Sequence, residues 1–596
     1  MKDRTPASGA EEFNRALARV QEAARKLLAE HVRRLAEDDG FQVLDPAVVG
    51  KTFLELSARL LSDPEALLRE QAAFWQRYAV LWQRTAERML FNKPAEPVIA
   101  PAPDDRRFKD RQWTENALSD FVKQCYLLAA DSVSSAVSRA RGPDPHAAKK
   151  AAFFTRQMLD AMSPSNFFAT NPQVLRATAE SGGMNLVRGL ALLLEDLERN
   201  KGRLRPRTAD LEAFRLGENL ATTPGKVIFQ NELMQLLQYA PGTDQVHRRP
   251  LLIVPPWINK YYILDLQPKN SFIRWAVGEG HTVFVVSWVN PDASLAGKRF
   301  DDYLLQGPLA AIGAIEQATG EREVNAVGYC IGGTLLASTL AHMSAKDDRR
   351  VASATLLTSL LDFSDVGEIS VFIDEEQVGL MERHMQRHGY FDGSHMATAF
   401  NLLRENELIW HYVVNGYLLG REPMAFDLLY WGMDSTSMPA AMHSFYLRNM
   451  YLRNLLREPG ALSLAGTPID LRSIRVPAYF LSTSEDHIAP WRSTYAGTRL
   501  VSGPVRFVLA GAGHNAGVIN PPELKKRYGY WTNTELPPQP EAWFSAAQRH
   551  EGSWWTDWAE WIGAYSGGTV PARHPGDGAL EPIEDAPGSA VKVRIT

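Results

Sequence analysis

The chain has 596 residues, 45% of them apolar and 22% charged, with a formal net charge of −5. It is too long for one ordinary domain, and its charge balance provides no overall basic field for nucleic acid. Its two cysteines, Cys125 and Cys330, exclude a disulfide framework and suit a reducing cytosol.

Residues 11–37 and 64–90 carry apolar side chains at helical spacing. The N-terminus is charged and lacks the apolar run of a secretory signal. No stretch of about 18 apolar residues reads as a membrane span, so a cytoplasmic protein is expected. A proline-rich break at 92–107 reads as a linker. Helical periodicity resumes at 113–137 and 145–163, and a further helix ends at Gly182-Gly183. Cys125 reads as a buried helix residue, and Phe74, Trp75 and Trp82 as packing residues of a helical domain, with contact to a partner surface as the alternative. The expected organisation is a variable helical segment over 1–95, a helical domain over 96–215 and a catalytic domain over 216–596.

After Pro224-Gly225 the period changes. Residues 226–239 read as two short strands or a ribbon, and continuous β-rich apolar runs follow at 250–256, 281–288, 324–330, 351–361, 476–484 and 504–511. Runs apolar on both faces suit parallel strands covered by helices on each side. The fold expected is therefore α/β, with a mostly parallel sheet. The interval from about 366 to 475 is too long for a connection; it is helical and aromatic-rich, as a cap inserted over an active site would be. Trp554, Trp555, Trp558 and Trp561 recur at helical spacing and predict a core-facing stripe. The last residues, rich in Pro, Gly and Ala, read as a docked or loose tail.

Gly328-Tyr329-Cys330-Ile331-Gly332 fits the strand-to-helix elbow of α/β-hydrolases, G-x-nucleophile-x-G. The nucleophile there is backbone-strained, and its neighbours two positions away must lack a Cβ for strand and helix to meet. The helix N-terminus favours the thiolate, and the Ile331 N–H is a candidate oxyanion donor. In this fold an acid and then a histidine follow the nucleophile in the chain. Asp486 follows one late strand and His514 the next. Asp486 would orient His514, and His514 would deprotonate Cys330. Glu485 and Asp362 are rivals for the acid position, with Asp486 preferred over both and over the flanking His487, which reads as a hydrogen-bonded neighbour. A second oxyanion donor is expected from the loop at 257–262, with Ile258 or Asn259 the candidate; the Asn259 side chain equally suits a turn hydrogen bond. Arg404, within the cap, is a candidate for meeting substrate phosphates or lining a channel, against the plainer reading of a solvated helix face. No His/Cys/carboxylate cluster has metal-ligand spacing.

The stretches at 166–175, 223–239, 255–275, 287–292, 328–336, 483–491, 513–522 and 552–558 together resemble poly(3-hydroxyalkanoate) synthases, and the "YCIGG" form with its extra Gly333 resembles class I. The similarity runs from about Asp110 almost to the C-terminus and assigns the first 95 residues no role. It implies an acyltransferase that polymerises (R)-3-hydroxyacyl-CoA, preferentially short-chain, releasing CoA through a thioester on Cys330. His514 would be the base and Asp486 the third member. It also implies no cofactor beyond the substrate's own CoA, no second kind of subunit, a homodimer contact in the cap, and association with polyester granules. The rivals are a cysteine α/β-hydrolase (esterase, lactonase or polymer depolymerase) and a non-enzymatic granule-binding protein.

Overall fold

The structure, a computed structural model, describes residues 41–93, 96–140, 142, 144–522 and 528–594; the helix read at 11–37 lies outside them. The chain forms two compact units, one of which holds the described residues through Asp210 together with Thr398–Met424.

That unit contains α1 (Pro46–Leu61), α2 (Pro64–Phe91), α3 (Ala117–Arg139), α4 (Pro145–Ala161), α5 (Pro172–Ser181) and α6 (Met184–Arg199). Local chemistry sets where five of them start. Asp45, Asp63, Asn116, Asp144 and Asn171 each accept a backbone N–H of the first turn, and proline occupies that turn in α1, α2, α4 and α5. An N-cap carboxylate or amide satisfies donors the helix cannot, and proline lacks the donor that would be orphaned there. Arg107 ties the unit together, pairing with Asp105 at 2.9 Å and Asp160 at 2.7 Å. Thr398–Met424 joins the unit through Tyr417, whose hydroxyl donates to Asp196 at 2.9 Å, and through the Leu418 carbonyl, which accepts from Asn185 at 2.8 Å. Trp75 and Trp82 on α2 are each 61% exposed, so the packing role read for them does not hold; Phe74 is half-buried against Tyr78.

The second unit, Leu211–Ala397 with Ala425–Thr596, is built on an eleven-stranded sheet among the described residues. In chain order its strands are β1 (Gly225–Gln230), β2 (Met234–Tyr239), β3 (Leu251–Val254), β4 (Val283–Trp288), β5 (Val324–Tyr329), β6 (Val351–Leu357), β7 (Ala478–Thr483), β8 (Val505–Ala510), β9 (Tyr530–Thr532), β10 (Gln548–His550) and β11 (Glu584–Asp585). Across the sheet they run β10-β9-β8-β7-β6-β5-β3-β4-β2-β1-β11. Strands β3 to β8 are parallel to one another, and β1, β2, β9, β10 and β11 pair antiparallel. The ribbon read at 226–239 is β1 and β2, and the six apolar runs are the six parallel strands. Every residue of β3, β4, β5 and β7 is buried, which is why these strands show no alternation in the sequence. The C-terminal tail is docked, with β11 adding an edge strand beside β1.

Register decides where the chemistry can sit. Val254 pairs with Gly328, Tyr329 with Leu357, Leu357 with Leu481, and Thr483 with Ala510. The C-terminal ends of β3, β5, β6, β7 and β8 therefore share one edge. The chain also reverses direction across the sheet there, running from β3 to β4 on one side and returning to β5 on the other, which is where open α/β sheets hold their ligands. Behind the edge, α7 (Ile331–Ala345) follows β5. The indoles of α8 (Trp554–Gly563) fill the core, with Trp554, Trp555 and Trp558 fully buried around Phe272 at ring distances of 6.0, 5.1 and 5.2 Å.

Candidate active site

Cys330 sits between β5 and α7 with φ +55° and ψ −126°. This left-handed backbone is costly for a residue with a Cβ. It is held by the Cys330 N–H donating to the Leu357 carbonyl at 2.8 Å and by the Cys330 carbonyl accepting from Gly333 at 2.9 Å. The glycines are required sterically. A Cβ on Gly332 would overlap the Val254 carbonyl and lie 2.6 Å from that of Pro255; one on Gly328 would overlap the Gly333 Cα. These contacts also bring the end of β3 against the first turn of α7. Ile331 is the first residue of α7, so its N–H has no acceptor within the helix.

His514 and Asp486 come together on the β8 and β7 loops. His514 Nδ1 lies 2.7 Å from Asp486 Oδ2, both side chains being buried. The other carboxylate oxygen, Oδ1, accepts from the backbone N–H groups of Ile488 at 2.9 Å and Ala489 at 2.8 Å, and Thr483 Oγ1 donates to Oδ2 at 3.2 Å. Asp486 is thus immobilised by its own turn, with one edge aimed at the imidazole. Burial alone would depress the basicity of His514. The Asp486 carboxylate and the Cys330 sulfur, each a charge neighbour and hydrogen-bond partner, outweigh it and push the imidazole up to about 10. The arrangement therefore favours the imidazolium form of His514.

The rival acids stand elsewhere. Burial raises Asp362, but hydrogen bonds from Ser364 Oγ at 2.6 Å and Asn454 at 2.8 Å, with Arg457 at 2.9 Å, more than offset it and hold the carboxyl below its ordinary range. Its acceptor capacity is taken up by that cluster. Glu485 is exposed. Arg404 lies in Thr398–Met424, in the unit of N-terminal helices, half-exposed with Glu407 at 3.9 Å. Cys125 is half-buried in α3, where burial pushes its thiol up. Among the described residues, no group of three or more His, Cys, Asp and Glu is placed to hold a metal ion, and no helix is long and apolar enough to cross a membrane.

Several supporting residues escape a motif-based reading. The Tyr329 ring stacks on His514 at 5.7 Å and 23°, and its hydroxyl donates to Asn515 Oδ1 at 2.7 Å. The histidine loop is held from below by indole N–H groups, Trp554 to the Gly517 carbonyl at 3.0 Å and Trp555 to the Val518 carbonyl at 2.9 Å. From the inserted region, buried Tyr446 and partly buried Tyr451 pack beside Phe363, at ring distances of 6.0 and 5.1 Å, and both lie within electrostatic reach of Cys330. The Ile258–Asn259 loop is bound to the same region, Thr436 N–H donating to the Ile258 carbonyl at 3.3 Å and Asn259 bridging Ser435. Tyr329 was legible as part of the elbow pentapeptide; the indole and cap contacts join residues far apart in the chain and had no local signal.

Residues 104–276 match the family model described as "Poly-beta-hydroxybutyrate polymerase (PhaC) N-terminus", and residues 250–521 match "alpha/beta hydrolase fold". The chain is 50% identical over 544 residues to the poly(3-hydroxyalkanoate) polymerase of Methylorubrum extorquens, covering 91% of this chain and 90% of that protein. It is 47% identical over 594 residues to the poly(3-hydroxyalkanoate) polymerase subunit PhaC of Rhizobium etli, covering 99% and 93%. With the corresponding subunit of Cupriavidus necator it shares 45% identity over 497 residues, covering 82% and 83%. The fold is that of an α/β-hydrolase, and the chain belongs to the poly(3-hydroxyalkanoate) polymerase family.

Proposed function

We propose that this protein is an acyltransferase that polymerises (R)-3-hydroxyacyl-CoA, preferentially short-chain units such as 3-hydroxybutyryl-CoA, into polyester with release of CoA. Family membership supports the reaction class. The observation that carries the residue assignment is the shared strand-end edge, where a backbone-strained Cys330 and a buried His514–Asp486 pair meet.

Loading begins with the Cys330 thiolate attacking the thioester carbonyl. The oxyanion is received by the N–H of Ile331 and by one from Ile258 or Asn259. The new C–S bond forms as the bond to CoA breaks, and the CoA sulfur leaves with a proton from the His514 imidazolium. One thioester replaces another, so the step is close to thermoneutral and the acyl group stays activated. A serine would yield an oxygen ester, a poorer donor.

Acylation then changes the histidine. Of the groups that raise His514, Cys330 contributes both charge and a hydrogen bond, and neither survives once the sulfur is esterified. His514 keeps only Asp486, its basicity falls toward that of an ordinary imidazole, and the neutral form becomes available as base. It takes the proton of a 3-hydroxyl as that oxygen attacks the thioester. The C–O bond forms, the bond to sulfur breaks, and Cys330 is restored while Asp486 stabilises the imidazolium. Buried Tyr446 and Phe363, with Tyr451 packed against both, keep this step dry, so that alcohol outcompetes water. Direct deprotonation by Asp486 is the weaker reading, because its lone pairs are taken by Ile488, Ala489, Thr483 and His514.

The chain length and YCIGG form support a class I enzyme, the family pattern a homodimer through the inserted region, and the product a location on cytoplasmic polyester granules. The test is incubation with 3-hydroxybutyryl-CoA. Free CoA with insoluble polymer is expected, and Cys330→Ser should lose both. Free CoA with soluble hydroxy acid would instead mark a hydrolase. Light scattering of the purified protein at several concentrations checks the dimer.

A further inference from the structure

The two oxyanion donors are fixed by different means. Ile331 follows the nucleophile directly and is positioned by the elbow. The loop carrying Ile258 and Asn259 leaves the end of β3 and is bound to residues 431–436 of the inserted region. Lys260 Nζ lies 2.7 Å from Asp434 Oδ1, with both side chains 3% exposed or less. Tyr262 donates its hydroxyl to Asp434 Oδ2 at 2.9 Å, and Trp431 Nε1 donates to the Lys260 carbonyl at 2.7 Å. Thr436 Oγ1 donates to the Trp257 carbonyl, Thr436 N–H donates to that of Ile258, and Asn259 bridges Ser435. Every residue from Trp257 to Lys260 therefore has a partner in this short stretch.

A buried ion pair is a poor source of net stability, because desolvation cancels most of its attraction. Here burial pushes Lys260 down and Asp434 up, and each opposes the other's loss of charge. An apolar pair would fill the space as well. A pair whose carboxylate also accepts from Tyr262, beside backbone carbonyls held by Trp431 and Thr436, fixes a geometry that apolar contact does not. The geometry it fixes is that of the loop beside the nucleophile.

We infer that Lys260, Asp434 and Thr436 are positioning residues for acyl transfer, clamping the Trp257–Asn259 backbone so that its N–H meets the developing oxyanion beside Cys330. The inference rests on the acyl-transfer reading of the site. The clamp acts in both thioester steps, since each passes through a tetrahedral oxyanion, and the donor is in place only while the inserted region is seated.

The test compares Thr436→Val, Asp434→Asn and the double variant Lys260→Met with Asp434→Leu, all in the full-length protein. The double variant removes both charges and keeps volume, so it folds even if the single charge deletion does not. Two rates are measured for each: CoA release from 3-hydroxybutyryl-CoA, and alkylation of Cys330 by iodoacetamide, followed on the Cys330 peptide to exclude Cys125. Alkylation displaces iodide from a saturated carbon and builds no oxyanion, so it reads the thiolate alone. A donor moved out of line should lower kcat about 10- to 100-fold, less than its deletion would, with KM within about twofold and alkylation unchanged. A double variant with wild-type kcat overturns the inference, and so does alkylation falling in step with kcat. If Cys330→Ala retains CoA release, the acyl-transfer reading itself fails, separately from the clamp.

Discussion

Helices α7 and α2 make opposite use of apolar sequence. From Ile331 to Met343 every residue of α7 is buried, including Thr334, Ser338, Thr339 and His342. Three of those are hydroxyls satisfied by carbonyls: Thr334 bonds Leu360, Ser338 bonds Thr334 and Thr339 bonds Leu335, at 2.7 to 2.8 Å. Helix α2 is nearly twice as long, and Leu81 is its one buried residue among those described. Leu68, Trp75, Trp82 and Met89, seven residues apart, are each more than 60% exposed. Apolarity alone therefore does not put a helix in the core. α7 is buried because β5 feeds it into the fold behind a fixed bend, and its small residues let backbone approach backbone. α2 has a good cap and a strong period, and the described residues cover one side of it.

The largest expected effect lies at that bend. Cys330→Ala should lower CoA release by about 10³-fold or more while leaving the fold intact, because the nucleophile has no substitute; melting temperature and CoA assay together check this. Asp486→Asn comes next. An amide facing His514 favours the wrong tautomer, and a loss of about 10²-fold or more in kcat is expected. The same variant has a pH signature. His514 stands at about 10 in the folded protein against its ordinary 6.5, so its interaction with Asp486 stabilises the fold fully below about pH 6.5 and is lost as pH rises through 10. The gap in melting temperature between wild type and Asp486→Asn should be widest near pH 6 and narrow toward pH 10. A gap that widens with pH would reverse the assignment of imidazolium as the favoured form.

Stability separates the two helices more directly. Gly332→Ala forces a methyl into the Val254 and Pro255 carbonyls, and a loss of about 3 kcal/mol or more, or failure to fold, is expected from backbone overlap. Ala72→Gly on the exposed face of α2 should cost about 1 kcal/mol, the helix-propensity difference alone. Urea denaturation of both variants measures the contrast.

The sheet was legible in sequence because a strand buried on both faces must be apolar throughout, and six such runs have no other plausible home. The grouping of Cys330, Asp486 and His514, proposed as the triad, was legible because strand order places the three on loops of one sheet edge. What could not be read is equally specific. The clamp on Ile258 and Asn259 joins Lys260 to Asp434, and the support of the histidine loop joins Gly517 and Val518 to Trp554 and Trp555. These pairings depend on three-dimensional proximity, and neither partner's neighbours announce the other. The inserted region shows the same limit: periodicity identified helices between 366 and 475 but not that Thr398–Met424 packs with the N-terminal helices, which depends on single contacts such as Tyr417 to Asp196.

The smallest effect tests the α2 side. The tryptophans of α8 and α2 share a residue type and a helical spacing, and they differ in burial. Trp558 is fully buried, its indole donating to Thr355 Oγ1 at 2.9 Å, so Trp558→Ala leaves a cavity and an orphaned hydroxyl. About 3–5 kcal/mol is the usual cost of such a truncation. Trp75→Gln and Trp82→Gln remove side chains already largely in water, and each should change stability by no more than about 0.5 kcal/mol. The double variant should therefore unfold at nearly the wild-type urea midpoint with full CoA release per site. A fall of several kcal/mol would mean that these indoles are covered in solution, and the contrast between the two helices would then reflect a missing partner rather than a difference in design.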